Sequence, residues 1–300
     1  MALADMKGPS RRHRAIAAAW FVLLLVGGCA RWQSSGKIEL PPLKAPPDSV
    51  VMEIRFVEFP FGQADLNAPL WAEIDEQQLS PELRKRLEAN GFRAGAVGGQ
   101  IPVALERMLA PPKEAKEPPA DPNTVDIRKK PAVRGWTKQW KFGDPFRVIV
   151  AGEKERLPEL TVLVRNDQGE VQGETFTQVQ GYFEGKAFAE PDGAVRLELA
   201  PQVEHGKEQQ QYAQDRDGMI KIDIRPPHEA YHQLAVEMKL LPGQTLVLGG
   251  LPDRPGSLGY HFFTEELSGH QTQKLLLIRL VGGATPDAAA SPAEAAIEAN

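Results

Sequence analysis

The chain is short of thiols: Cys29 is the single cysteine in 300 residues, so no internal disulfide can staple the fold. It also lacks an apolar run of the ~20 residues that a bilayer-crossing helix needs, because the uncharged stretch Ala15 to Gly28 stops short of that length. Positive charge is not in excess. With 35 Lys and Arg against 40 Asp and Glu the formal net charge is −5, which argues against nucleic acid as a partner. No internal repeat is present. Glycine and proline number 27 and 26, above average but below the share that marks wholesale disorder.

What is present begins with Lys7, Arg11, Arg12 and Arg14, a positive n-region ahead of an uncharged run about as long as a signal-peptide h-region. His13 and Arg14 stand where a twin-arginine signal carries hydrophobic residues, so ordinary secretion is the expected route. Gly27 and Gly28 offer a peptidase an extended, unhindered backbone, and Val26-Gly27-Gly28-Cys29 resembles the bacterial lipoprotein lipobox. The resemblance implies that Cys29 becomes the lipid-bearing first residue of the mature chain, leaving no thiol for nucleophilic catalysis. A buried structural cysteine is the bland alternative; the four basic residues upstream and the Gly-Gly break count against it. Two or more acyl chains hold a protein lastingly where one is marginal. Ala30 and Arg31 follow, with no aspartate directly after the cysteine, which in such lipoproteins favours the outer membrane, facing the periplasm. Removal of residues 1–28 takes away four basic and one acidic residue and moves the charge from −5 to −8.

Composition then divides the chain. Residues 1–28 are read as the signal peptide, and 29–48, with "LPPLKAPPD", as a proline-rich tether. Residues 49–109 read as a small α/β module. "VVMEIRFVEF" alternates as a strand, and a Gly/Asn/Pro loop follows. Ser80-Pro81 then opens a helix with Leu83 and Leu87 on one face, ended by Asn90-Gly91. "FRAGAV" and "IPVALERML" add a short strand and a short helix. Residues 110–134 are read as a charged, proline-rich segment that either links two domains or forms a long disordered loop within one, and 283–300 as a low-complexity tail expected to be disordered. Between them, 135–282 carries strand candidates from "FRVIVAG" to "KLLLIRLV", separated by turn signals such as Pro191-Asp192-Gly193 and Leu241-Pro242-Gly243. The fold class expected is α+β, with the β-rich part dominant.

Within that part, Gly243, Thr245, Leu246, Val247, Leu248, Gly249, Gly250 and Leu251 form a Gly-x-hydroxyl-apolar-Gly-Gly-Leu run. Leu258, Gly259 and Phe263 follow, and then the apolar strand Leu275 to Val281. This order resembles the C-terminal domain of the secretins of type II and III secretion. The resemblance implies a secretin-like β domain and, as partners, further copies of the chain or secretion-system components. The chain departs from a pore-forming secretin in lacking clear amphipathic hairpins of about 9 to 11 residues per strand. "ETFTQVQGYFEGKAFAE" is a poor candidate, interrupted by Glu184 and Lys186.

"HEAYH" is the sharpest chemical motif. On a helix, His228 and His232 would lie one turn apart and bind zinc, with Glu229 activating water. Leu234, Met238 and Leu241 fit a helix, while Leu234, Val236, Met238 and Leu240 fit a strand, so periodicity leaves both open. A strand at 234–240 would end the metalloprotease reading. Glu73, Asp75 and Glu76 read as a solvated helix-start cluster rather than a metal site, and "GAVGGQ" lacks the lysine-hydroxyl ending of a phosphate loop. The expectation is therefore a lipid-anchored envelope protein without catalysis, acting as a structural or interaction component, with no cofactor beyond the lipid on Cys29 and membrane contact through that anchor.

Overall fold

The computed structural model describes residues 48–62, 64–99, 101–109, 132–166, 168–214, 220–267 and 270–283. The expected signal peptide, Cys29, most of the tether and linker, and the tail lie outside them.

Among the described residues the fold has two six-stranded antiparallel sheets, a separate two-stranded ribbon and four short α-helices. The first sheet, A, runs in the order β2 (Phe92–Val97), β12 (Thr245–Gly250), β14 (His270–Gly283), β1 (Ser49–Pro60), β3 (Ala132–Lys141), with β13 (Thr264–Leu267) also on β14. Its centre is the pairing of β1 (Ser49–Pro60) with β14 (His270–Gly283), in register from Val50 opposite Gly283 to Pro60 opposite Thr272. One face of the pair is apolar from Val50 to Phe56; the other is apolar toward Phe59 and Leu275 and carries Glu53, Arg55 and Arg279 at its other end. On one side Met52, Ile54, Phe56, Leu276 and Ile278 point into the main core; on the other Val57, Phe59, Leu275 and Leu277 enter a second cluster. Leu70 and Trp71 of α1 (Ala64–Ala72) and Leu105 and Met108 of α3 (Val103–Leu109) cap that second cluster.

Sheet B is built on β6 (Val171–Ala189), whose first half pairs with β5 (Leu157–Arg165) and whose second half pairs with β7 (Val195–Glu204). β4 (Phe146–Ala151) flanks β6, and β10 (His228–Ala230) and β11 (Val236–Leu240) lie end to end along β7. Val148, Val150, Phe183, Leu197 and Leu199 fill the space facing sheet A. β8 (Gln209–Gln214) and β9 (Ile220–Arg225) pair only with each other.

Ser80 caps α2 (Pro81–Ala89) as its sequence requires, its hydroxyl accepting from the Leu83 N–H at 3.2 Å, and Leu87 is buried. The β-rich α+β class is what the structure shows. Its division differs from the expected one. β1 pairs with β14, and β2 (Phe92–Val97) pairs with β12 (Thr245–Gly250), so residues 49–109 supply strands to the same sheet as 245–283 instead of folding as a module of their own. A two-stranded segment with three short helices buries too little apolar surface by itself; inserted beside β12 and β14 it gains a covered sheet. The proposed linker also ends earlier, because β3 (Ala132–Lys141) begins inside 110–134. The segment read as a Gly/Asn/Pro loop contains α1.

Candidate interaction surface

β3 is the outermost strand of sheet A and presents ten residues. β1 holds its inner side from Ser49 opposite Lys141 to Glu58 opposite Ala132, and among the described residues no strand pairs with its outer side. The far side of the same sheet is treated differently. There the main chain of Asp75 exchanges two hydrogen bonds of 2.9 Å with Ala96, covering the edge of β2 at that residue.

The register divides the side chains of β3. Arg134, Trp136, Lys138 and Trp140 stand opposite Phe56, Ile54, Met52 and Val50, on the face that looks toward sheet B. They alternate cation and indole. The Arg134 guanidinium lies 4.5 Å from the Phe56 ring centroid, bonds Glu58 at 3.2 Å and pairs with Glu153. Trp136 leans on Phe56 at 6.0 Å but stays 39% exposed, and Lys138 lies 5.7 Å from the ring of Trp140, which in turn packs on Phe146 at 5.0 Å. No side chain of the strand is acidic, and Lys138 and Lys141 have no carboxylate partner among the described residues.

The residues of the glycine-rich run and those after it do converge, at two places along β12. Gly243 sits in the β11–β12 turn with φ +90°, its N–H bonded to the Leu280 carbonyl at 2.7 Å, and Thr245 starts β12 between Arg279 and Val97. At the other end Gly249 packs under Trp71 and Leu275, and Gly250 lies against α4 (Leu258–Phe263), with Phe263 in the core. The Leu251 N–H bonds the Gly91 carbonyl at 2.8 Å, and the Gly259 N–H bonds the Asn90 carbonyl at 2.9 Å. A side chain on Gly259 would collide with the Gly91 backbone. Phe262 meets Phe92 and Phe183 edge-on at 5.6 Å each, so this junction locks α4 between the sheets. These positions are therefore packing positions, and Gly250 and Leu251 also line a mostly apolar cleft with Trp71, Asn67 and Arg93.

"HEAYH" is not helical. His228 and Glu229 lie on β10, Tyr231 is buried, and His232 opens a 3-10 turn ending at Leu234. Val236–Leu240 is a strand, so the one-turn spacing of the two histidines that zinc ligation would need is missing. Among the described residues no three His, Cys, Asp or Glu side chains cluster as metal ligands. Of the acidic cluster, Glu76 forms a two-pronged pair with Arg93 at 2.9 and 2.8 Å, and Asp75 accepts from the Gln77 N–H at 2.9 Å. His261 is half-buried with Nε2 3.0 Å from the Thr161 carbonyl; burial holds its pKa below the usual value despite that contact.

Sequence reading missed β3 altogether. Its signal was the alternation of Arg134, Trp136, Lys138 and Trp140, which carries a strand period without an apolar face.

No family model matches the chain, and no curated protein matches it. Among solved structures it is similar to the InvG secretin domain β-barrel from the Salmonella SPI-1 injectisome NC-base, at 10% identity and a TM-score of 0.24, over 94% of this chain and 71% of that one.

Proposed function

We propose that this chain is a lipid-anchored component of the cell envelope that works by assembly, with further copies of itself or with secretion-system proteins, rather than by catalysis. The observation that supports this most is the outer edge of β3: ten residues with no strand on that side among the described residues, and with Trp136 half-exposed. Long unpaired edges are a liability in a solitary protein and are normally short, covered or bulged. The lipid on Cys29 and the proline-rich spacer behind it would hold that edge at a set distance from the membrane.

Photo-cross-linking tests this in living cells. A benzophenone amino acid at Thr137 is expected to yield an adduct heavier than one chain in the envelope fraction, and Cys29→Ser is expected to release the chain from that fraction. No adduct at Thr137, with the protein normally expressed, contradicts the assembly role.

A further inference from the structure

We infer that the outer edge of β3 takes up an extended segment of a partner protein in which acidic and apolar residues alternate at every second position, so that both lie on one face, adding it to sheet A as a further strand. The inference rests on the assembly reading above and names the partner's chemistry.

Two features of the strand carry it. The first is the backbone. An extended segment laid along Ala132–Lys141 would gain main-chain hydrogen bonds from groups that no described strand uses, which is the source of affinity in strand addition. The second is the side-chain order. On an added strand, residues directly opposite those of β3 stand about 4.5–5.5 Å away at Cβ, and their pairing sets selectivity. The face of Arg134, Trp136, Lys138 and Trp140 would then set a carboxylate beside Lys138 and an apolar side chain beside Trp136. On the opposite face Lys141 offers a second cation with no carboxylate partner among the described residues. A basic partner would meet like charge at each of these points.

Lysines on an edge strand also serve to repel self-association. That role alone does not account for β3, which combines Lys138 with two exposed apolar side chains, Trp136 and Val133, each 39% exposed. A guard strand has no use for a half-exposed indole. An indole between cations on one face is suited to a segment that carries apolar and acidic residues in turn at every second position.

The test uses the full-length chain extracted in mild detergent and a fluorescein-labelled octapeptide Glu-Ser-Val-Ser-Glu-Ser-Val-Ser, which sets Glu and Val in turn on one face, followed by anisotropy. Two controls accompany it: the same peptide with Lys for Glu, and the Glu peptide N-methylated at every second residue. Saturable binding of the Glu peptide is expected, weakened at least about tenfold in both controls and about fivefold by Lys138→Glu, an exposed position whose change should leave the fold intact. Equal binding of the Lys peptide or of the N-methylated peptide overturns the inference, as does indifference to Lys138→Glu. So does absence of binding, including the case where light scattering shows the edge occupied by a second copy. Cross-linking at Thr137 without peptide capture keeps β3 as an interface and rejects this partner chemistry. Peptide capture without cross-linking in cells rejects the envelope assembly and keeps the edge chemistry.

Discussion

The side chain of Asn90 acts on Arg165 as a neighbouring strand would: its Oδ1 accepts from the Arg165 N–H at 2.7 Å and its Nδ2 donates to the Arg165 carbonyl at 3.0 Å. The same Nδ2 reaches the Arg86 carbonyl at 3.0 Å, and the Asn90 carbonyl accepts from Gly259. One amide, 1% exposed, thus ties the end of α2 to β5 of sheet B and to α4.

Asn90→Ala leaves an N–H and a carbonyl of Arg165 unpaired at a half-buried site. A loss of roughly 2–4 kcal/mol in urea unfolding is expected. Asn90→Asp should be as damaging at neutral pH, because a carboxylate cannot donate to the Arg165 carbonyl. A midpoint unchanged by both would show that the amide does not join these elements.

Gly259→Ala sets a methyl group against the backbone of Gly91, which is itself held at φ +78° under Ser257 and cannot retreat freely. About 1–3 kcal/mol of destabilisation is expected. Gly282→Ala, with open space around it, should stay within about 0.5 kcal/mol. Equal effects of the two would remove the packing role assigned to the α4 junction.

Burial pushes the Tyr182 phenol up to about 12, with the Arg147 guanidinium beside it acting in the opposite direction. A raised pKa means that the native state favours the protonated phenol, which also donates to Gln202 at 2.6 Å. Its stabilising contribution is therefore complete below the unfolded value near pH 10 and declines from there to about pH 12, by up to about 1.4 kcal/mol per pH unit. Tyr182→Phe should remove this part of the alkaline slope, measured as unfolding midpoint against pH. An unaltered slope would contradict it.

Lys274 is charged at neutral pH only against a burial penalty. Its side chain is 4% exposed, burial lowers its pKa, and Glu265 at 3.5 Å offsets part of that. With the native pKa below the unfolded one, the unfolded chain binds the extra proton between the two values. Stability from this residue thus rises as pH climbs toward the ordinary lysine range. Lys274→Met should raise stability at pH 7 by about 1 kcal/mol or more and abolish that rise. Destabilisation by Lys274→Met would show that the charge is compensated better than its neighbours suggest.

The sequence made β1, α2, β2, β7, β12 and β14 legible, because each buries at least one face and shows it as periodicity; Ser80-Pro81 and Asn90-Gly91 marked the ends of α2. It did not reveal that β1 would pair with β14 more than 200 residues away, since register across such a separation leaves no local trace. α1 was hidden by Pro69 within "LNAPLWA", and "HEAYH" had two periods to choose from. β3 was hidden for a physical reason. An edge strand exposed along most of its length has no need of an apolar face, and "RGWTKQWK" follows directly on a run of charge and proline.

Amide hydrogen exchange across residues 132–141 compares the chain in native membranes with the detergent-extracted single chain. The outward N–H groups of β3 are expected to exchange rapidly in the isolated chain and to be protected in membranes, with no comparable change in β14. Identical exchange of β3 in the two states would mean that the open edge stays open, and would contradict its role as the site of assembly.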